Sequence, residues 1–294
     1  MRRITGLAFV ALLALCAPLA TAQGPTAQQD PFRNQVGAVS LAFSPPEALR
    51  QHELMAAALD GLQPQRPGVQ DVYVIAAGLW GDPVFQNEAS RSAEALSRSL
   101  GAQGRTLVLT AGAGTAPRTY PAASPDNLQI AIGQVGALID PEEDLVVLFM
   151  TSHGAPNGLS IHEQTRMRGV FSPTALAGSL REAGVNRRVV IISACFSGVF
   201  VSPLANDDTI VLTAAARDRT SFGCQPENEW TYFGDAVINQ GVMQGKPLLQ
   251  AFTEGQALIS QWEARDGFTP SNPQSYIGDN ALVALRNAEA SARP

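Results

Sequence analysis

The sequence predicts an α/β fold, a mostly parallel sheet with helices on both faces. Three observations carry that prediction. From Asp71 onward, apolar runs of strand length alternate with segments of helical periodicity, the pattern of parallel strands joined by crossover helices. Two of the runs, residues 144–150 and 188–192, are continuously apolar after a charged first residue, as strands buried on both faces are. Each then stops at a turn of small residues, Thr151-Ser152-His153-Gly154 in one case and Ser193-Ala194-Cys195-Phe196-Ser197-Gly198 in the other.

In chain order, Arg2-Arg3, the apolar stretch 4–16 and the small residues Ala20-Thr21-Ala22 have the three parts of a cleavable secretory signal. The apolar stretch is too short for a permanent membrane anchor, so a periplasmic or secreted protein is expected. Residues 23–35 are rich in Gln, Pro and Ala without periodicity and read as a flexible leader. Residues 45–62 space Leu49, Leu54, Ala57, Ala58 and Leu62 as a helix does, and residues 64–68 break it. The organisation expected is a signal at 1–22, an N-terminal extension at 23–65 as a candidate propeptide, and the main domain at 66–294.

Within that domain a strand is expected at 71–77, a helix at 86–100 and a strand at 105–110. A helix at 124–139 follows, with Ser124 as N-cap and Pro125 in its first turn. Between the two apolar runs lies a helix at 172–182, capped by Ser172 with Pro173 behind it and Gly184 past its end. A strand at 209–213 and helices beginning near Tyr232 and Pro247 complete the series.

Composition narrows the function. Loss of residues 1–22 removes two arginines and no acid, so the 20 basic residues fall to 18 against 26 acidic ones, a net charge of −8. Nucleic acid is excluded as a partner on that balance. Lys246 is the single lysine and stands in no phosphate-binding frame. Cys195 and Cys224 are the cysteines left after the signal, without a C-x-x-C pair, and His162-Glu163 is followed by Arg166 where a zinc-binding helix needs its second histidine. No metal and no cofactor are expected.

What remains is nucleophilic chemistry. A thiol is partly ionised near neutral pH and its thiolate is strongly nucleophilic; an imidazole titrates in the range where it can carry a proton. Ligands of open α/β sheets collect at the carboxyl ends of strands, so Cys195 and His153 are expected to face one cleft as nucleophile and proton carrier. The N–H groups of Gly154 and Cys195 would open on the same cleft as oxyanion donors. Taken singly, a cysteine after an apolar strand is a small hydrophobe and a histidine before glycine a turn residue. Their joint position at consecutive strand ends favours function.

Ser152-His153-Gly154 and Ser193-Ala194-Cys195, each after an apolar strand, resemble the His-Gly and Ala-Cys signatures of the caspase-like cysteine peptidases. The likeness is in particular to the legumain family, peptidase family C13, and extends to Thr213-Ala214-Ala215, to Thr220-Ser221-Phe222-Gly223-Cys224 and to Thr231-Tyr232-Phe233-Gly234-Asp235, over residues 71–278 in all. It implies a caspase-like three-layer sandwich and a cysteine endopeptidase acting on a peptide or protein substrate, with His153 and Cys195 catalytic and Gly154 in the oxyanion hole. It also implies that Asp235 and Ser221 read the residue at the cleaved bond. The family's arginine in that pocket is Gln86 here, its neighbouring asparagine is Val84, and Phe196 follows Cys195 where an acidic or amide residue stands. Asn or Asp preference is therefore left open. Glu88, an acid in the stretch that follows the first strand, is expected near the start of the next helix as a third residue lining the cleft. Transamidation on the same fold is the alternative activity, and a non-catalytic binding protein the alternative class. A Cys195–Cys224 bridge would need their Cα atoms within about 6 Å, and none is expected.

Overall fold

The structure is a computed structural model and describes residues 39–41, 43–112, 119–163 and 166–292. The signal and the leader expected at 1–35 lie outside the described residues. The chain opens with β1 (Val39–Leu41) and α1 (Pro45–Asp60), then runs β2 (Val72–Gly78), α2 (Pro83–Leu100), β3 (Thr106–Thr110), α3 (Pro125–Leu138) and β4 (Leu145–Thr151). A hairpin system follows, β5 (Gly154–Ala155), β6 (Gly158–Glu163) and β7 (Met167–Phe171), then α4 (Pro173–Glu182) and β8 (Arg188–Ser193). The remainder is α5 (Val201–Leu204), β9 (Thr209–Thr213), α6 (Leu248–Asp266), β10 (Gln274–Ile277) and α7 (Asp279–Ser291).

Six strands form the central sheet in the order β10-β9-β8-β4-β2-β3. Five are parallel, and β10 runs antiparallel along β9. Alternate side chains of each strand point to opposite faces, and the core divides accordingly. Tyr73, Ile75, Val146, Leu148, Val190 and Ile192 pack with Leu128 and Ile132 of α3 and Leu176 and Leu180 of α4. Val74, Val147, Phe149, Val189 and Ile191 pack with Leu96 of α2, Phe252 and Ile259 of α6 and Leu285 of α7. Helices thus cover both faces, as expected, and each fully buried Leu, Ile or Phe contributes roughly 1.5–3 kcal/mol. Among the described residues no helix is long and apolar enough to cross a membrane.

Local chemistry sets the boundaries. The Ser124 hydroxyl accepts the Asn127 N–H at 3.1 Å and that of Ser172 the Ala175 N–H at 3.1 Å, satisfying donors that helix starts leave free. Helix α2 begins at Pro83, three residues before its expected start, because Asp82-Pro83 supplies an extended residue and a first-turn proline. The helix expected near Tyr232 begins there, and over Gly234–Asn239 it takes the wider π form. Part of the N-terminal extension joins the body: Met55 and Leu62 enter the core, the Gln51 side chain accepts the Ala122 N–H at 2.6 Å, and β1 pairs with β7. A second, antiparallel sheet, β1-β7-β6-β5, projects from the carboxyl end of β4. It is fixed to the main body where Gly81 N–H donates to the His162 carbonyl at 2.8 Å and His162 N–H to the Leu79 carbonyl at 3.0 Å.

Candidate active site

Strands β4 and β8 are neighbours in register, with Thr151 opposite Ser193. His153 and Cys195 each stand two residues beyond that pair, and Ser152 N–H donates to the Ser193 carbonyl at 3.2 Å. The two turns touch backbone to backbone. A Cβ on Gly154 would overlap the Cys195 carbonyl oxygen and crowd Ala194 Cβ at 3.1 Å, so only glycine permits the approach. The turns that carry the two expected residues therefore lie side by side at the carboxyl end of the sheet.

The His153 imidazole is half-buried between two aromatic edges, Trp80 at 4.7 Å between centroids and 88° and Phe85 at 5.1 Å and 73°. These contacts fix the ring's orientation. Burial lowers its pKa below the ordinary histidine value, and the Asp82 carboxylate opposes that shift, so the ring is neutral and able to accept a proton near pH 7. Its backbone is held by Ser160 N–H, which donates to the His153 carbonyl at 2.9 Å. Trp80 also lies against His162, 4.5 Å away with 31° between planes.

Cys195 is half-buried and faces Ser221. The Ser221 N–H points at Sγ from 3.3 Å and its hydroxyl from 3.7 Å, while the thiol reaches the Ser221 carbonyl at 3.5 Å. Ser221 thus holds the sulfur through its backbone and its hydroxyl together. Phe196 follows in the left-handed region with φ 56°, a conformation that costs a non-glycine residue about 1–3 kcal/mol. It is held by its N–H, which donates to the Arg219 carbonyl at 2.7 Å, and by the next residue, whose hydroxyl accepts the Ala215 N–H at 3.0 Å.

Glu88 does not line the cleft. It is fully buried in the second turn of α2, and its carboxyl receives the Thr151 hydroxyl at 2.5 Å, the Ser193 hydroxyl at 2.9 Å and the Thr231 hydroxyl at 2.8 Å. Gly234 packs so closely that a Cβ there would overlap a Glu88 carboxyl oxygen. Burial pushes its pKa up to about 7, against the three hydroxyls that lower it. Asp235 accepts from Asn239 at 2.7 Å and Gln240 at 3.1 Å, and lines a recess of about 410 Å³ with Tyr232, Trp262 and Arg265. Neither His153 nor Cys195 belongs to that lining. Cys224 is a free thiol, as is Cys195; burial first, then Cys195, raises its pKa.

Sequence reasoning missed Trp80, Phe85, Asp82 and the three hydroxyls on Glu88. The signals were present. Asp82-Pro83 marks the true start of α2, and from there Val84, Phe85, Glu88, Ala89 and Ser92 fall on one buried face. Thr151 and Ser193 are the polar residues that end two apolar runs at the same offset from His153 and Cys195.

Comparison with known sequences matches the chain to the peptidase C13 family over residues 113–283, more than half of its length. The chain belongs to the peptidase C13 family, and by that membership it is a cysteine peptidase. No curated protein matches it. Among solved structures, caspase-1 from Spodoptera frugiperda aligns with 11% sequence identity and a TM-score of 0.44, over 74% of this chain and 93% of that one.

Proposed function

We propose that the chain is an exported endopeptidase of the legumain type, in which Cys195 attacks the peptide carbonyl and His153 carries the proton. The observation that supports this most directly is the abutment of the His153-Gly154 turn on the Cys195 backbone at register-matched strand ends. Neutral His153 takes the thiol proton, and sulfur bonds to the carbonyl carbon. The N–H groups of Gly154 and Cys195 receive the oxyanion, one such donor being worth about 3 kcal/mol of transition-state stabilisation. The C–N bond then breaks and the amine leaves with the proton from His153. Water attacks the thioester, gives its proton to His153, and the C–S bond breaks to return the thiol and a carboxylic acid.

Ser221 serves this scheme by donating to sulfur. Asp235 is assigned to reading the substrate, the residue preferred at the cleaved bond being what peptide-library profiling would reveal, and residues 1–22 to export. The test is mass-spectrometric labelling with iodoacetamide beside cleavage of a diverse peptide library. Cys195 is expected to label faster than Cys224, whose thiol burial holds in the protonated form, and to lose that advantage together with cleavage in His153→Ala. Equal labelling of wild type and variant, with no peptide cut by either, would favour a non-catalytic binding role and overturn the proposal.

A further inference from the structure

Glu88 has no obvious reason to be acidic if its role is only to fill space. A buried carboxyl without a cation is costly, and a glutamine or an apolar side chain of similar size would be cheaper in that position. Burial and the three hydroxyls account for its environment, and no lysine or arginine contributes to it among the described residues. Its location is informative. Along β4 the residues facing α2 are Val147, Phe149 and then Thr151; along β8 they are Val189, Ile191 and then Ser193. Each apolar ladder ends in a hydroxyl, and both hydroxyls reach the same carboxyl, Thr151 at one oxygen and Ser193 at the other. Thr231, before the π turn, joins Ser193 on its oxygen and also touches the Ser193 hydroxyl at 3.0 Å. Phe85, one turn earlier on the same face of α2, is the residue whose ring meets His153.

We propose that Glu88 is a positioning residue for the reacting pair: its carboxyl ties the ends of β4 and β8 together and so sets the separation between the turns that carry His153 and Cys195. This rests on the reading of those two residues as nucleophile and proton carrier. Helix α2 then controls the site at two points three residues apart, the imidazole through Phe85 and the strand ends through Glu88. Small errors in that separation are expensive, because proton transfer requires the reacting groups to be within hydrogen-bond reach.

The arrangement depends on ionisation. As a carboxylate Glu88 accepts from all three hydroxyls; once protonated, one of its oxygens carries a hydrogen, and a hydroxyl must turn round to accept it. Its titration falls near pH 7. The titratable groups on the elements around it are His153 after β4, Cys195 after β8, Cys224 in the loop before Thr231, Tyr232 after it, Asp82 at the start of α2 with Arg91, Glu94 and Arg98 further along that helix, and Asp235, whose carboxylate is engaged by Asn239 and Gln240. Of these, His153 titrates below the ordinary histidine value, so its contribution to a pH profile lies on the acid side of that of Glu88.

The experiment compares wild type with Glu88→Gln, Thr151→Val and Ser193→Ala, measuring kcat and KM on a cleaved peptide and the rate of Cys195 alkylation by iodoacetamide, from mildly acidic to mildly alkaline pH. Glu88→Gln is expected to leave KM unchanged, to lower kcat and the alkylation rate by between about ten- and a hundredfold, and to abolish the step near pH 7 while the more acidic step of His153 stays. Thr151→Val and Ser193→Ala are expected to lower kcat in the same sense by smaller factors. Wild-type kcat with an unchanged profile in Glu88→Gln would overturn the proposal, and if that variant does not fold, the same result in both hydroxyl variants would do so. A Cys195→Ala variant with undiminished cleavage would instead sink the underlying reading.

Discussion

The two ends of the central sheet handle buried charge in opposite ways. At the amino ends of the strands, Asp71 is buried just before β2 and pairs with Arg66 at 2.7 Å and Arg105 at 3.3 Å. Arg105 lies over the Tyr73 ring at 5.8 Å, and the buried Asp144 accepts the backbone N–H groups of Asp71 at 2.7 Å and Asp140 at 2.8 Å. At the carboxyl ends Glu88 is equally buried yet meets only hydroxyls, His153 meets aromatic edges, and Cys195 meets one serine. One end closes its charges with cations and backbone donors. Among the described residues the other leaves Glu88, its pKa raised by burial to about 7, and His153, its pKa lowered by burial, without a cation beside them, which is where a fold places chemistry rather than stability.

Breaking each end in turn sharpens this contrast. The largest effect on turnover is expected from Gly154→Ala, where the new methyl group must push the Cys195 carbonyl away; kcat should drop by on the order of a hundredfold or more, read by peptide cleavage on protein shown folded by circular dichroism. At the opposite end, Asp71→Asn strips the buried Arg105 of its charged partner. Chemical denaturation should show a loss of about 3–5 kcal/mol, with kcat of the folded fraction unchanged. A smaller, pH-dependent effect belongs to Glu88. Its folded pKa is raised from 4.5 to about 7, so its protonated form carries stability that is present in full below pH 4.5 and is lost as pH rises through 7. The difference should amount to roughly 3 kcal/mol across that window, and Glu88→Gln should make that part of the stability profile flat.

The sheet was legible in the sequence because its middle strands are buried on both faces: residues 145–151, 188–193 and 209–213 are apolar almost throughout. The adjacency of the turns that carry His153 and Cys195 was legible for the same reason, since each ends such a run. Strand β10 was not. Gln274–Ile277 is polar and partly exposed, and its extended form depends on the ladder it makes with β9 rather than on its own pattern. The turn at Gly234–Asn239 departs from a regular helix where Gly234 packs closely against Glu88, a contact 146 positions apart along the chain. Glu88 itself was misread as a cleft residue because an acid near a helix start normally faces water. Only the buried side chains that share its face of α2 could have indicated otherwise.

Trp80 has a consequence of an optical kind. Its indole lies against the imidazoles of both His153 and His162, and a protonated imidazole in contact with an excited indole withdraws electron density from it and dims its emission. One of only three tryptophans in the chain is therefore a built-in fluorophore whose brightness follows the charge on its two histidine neighbours, and the share that belongs to His153 is the part of the signal's pH dependence retained in His162→Gln.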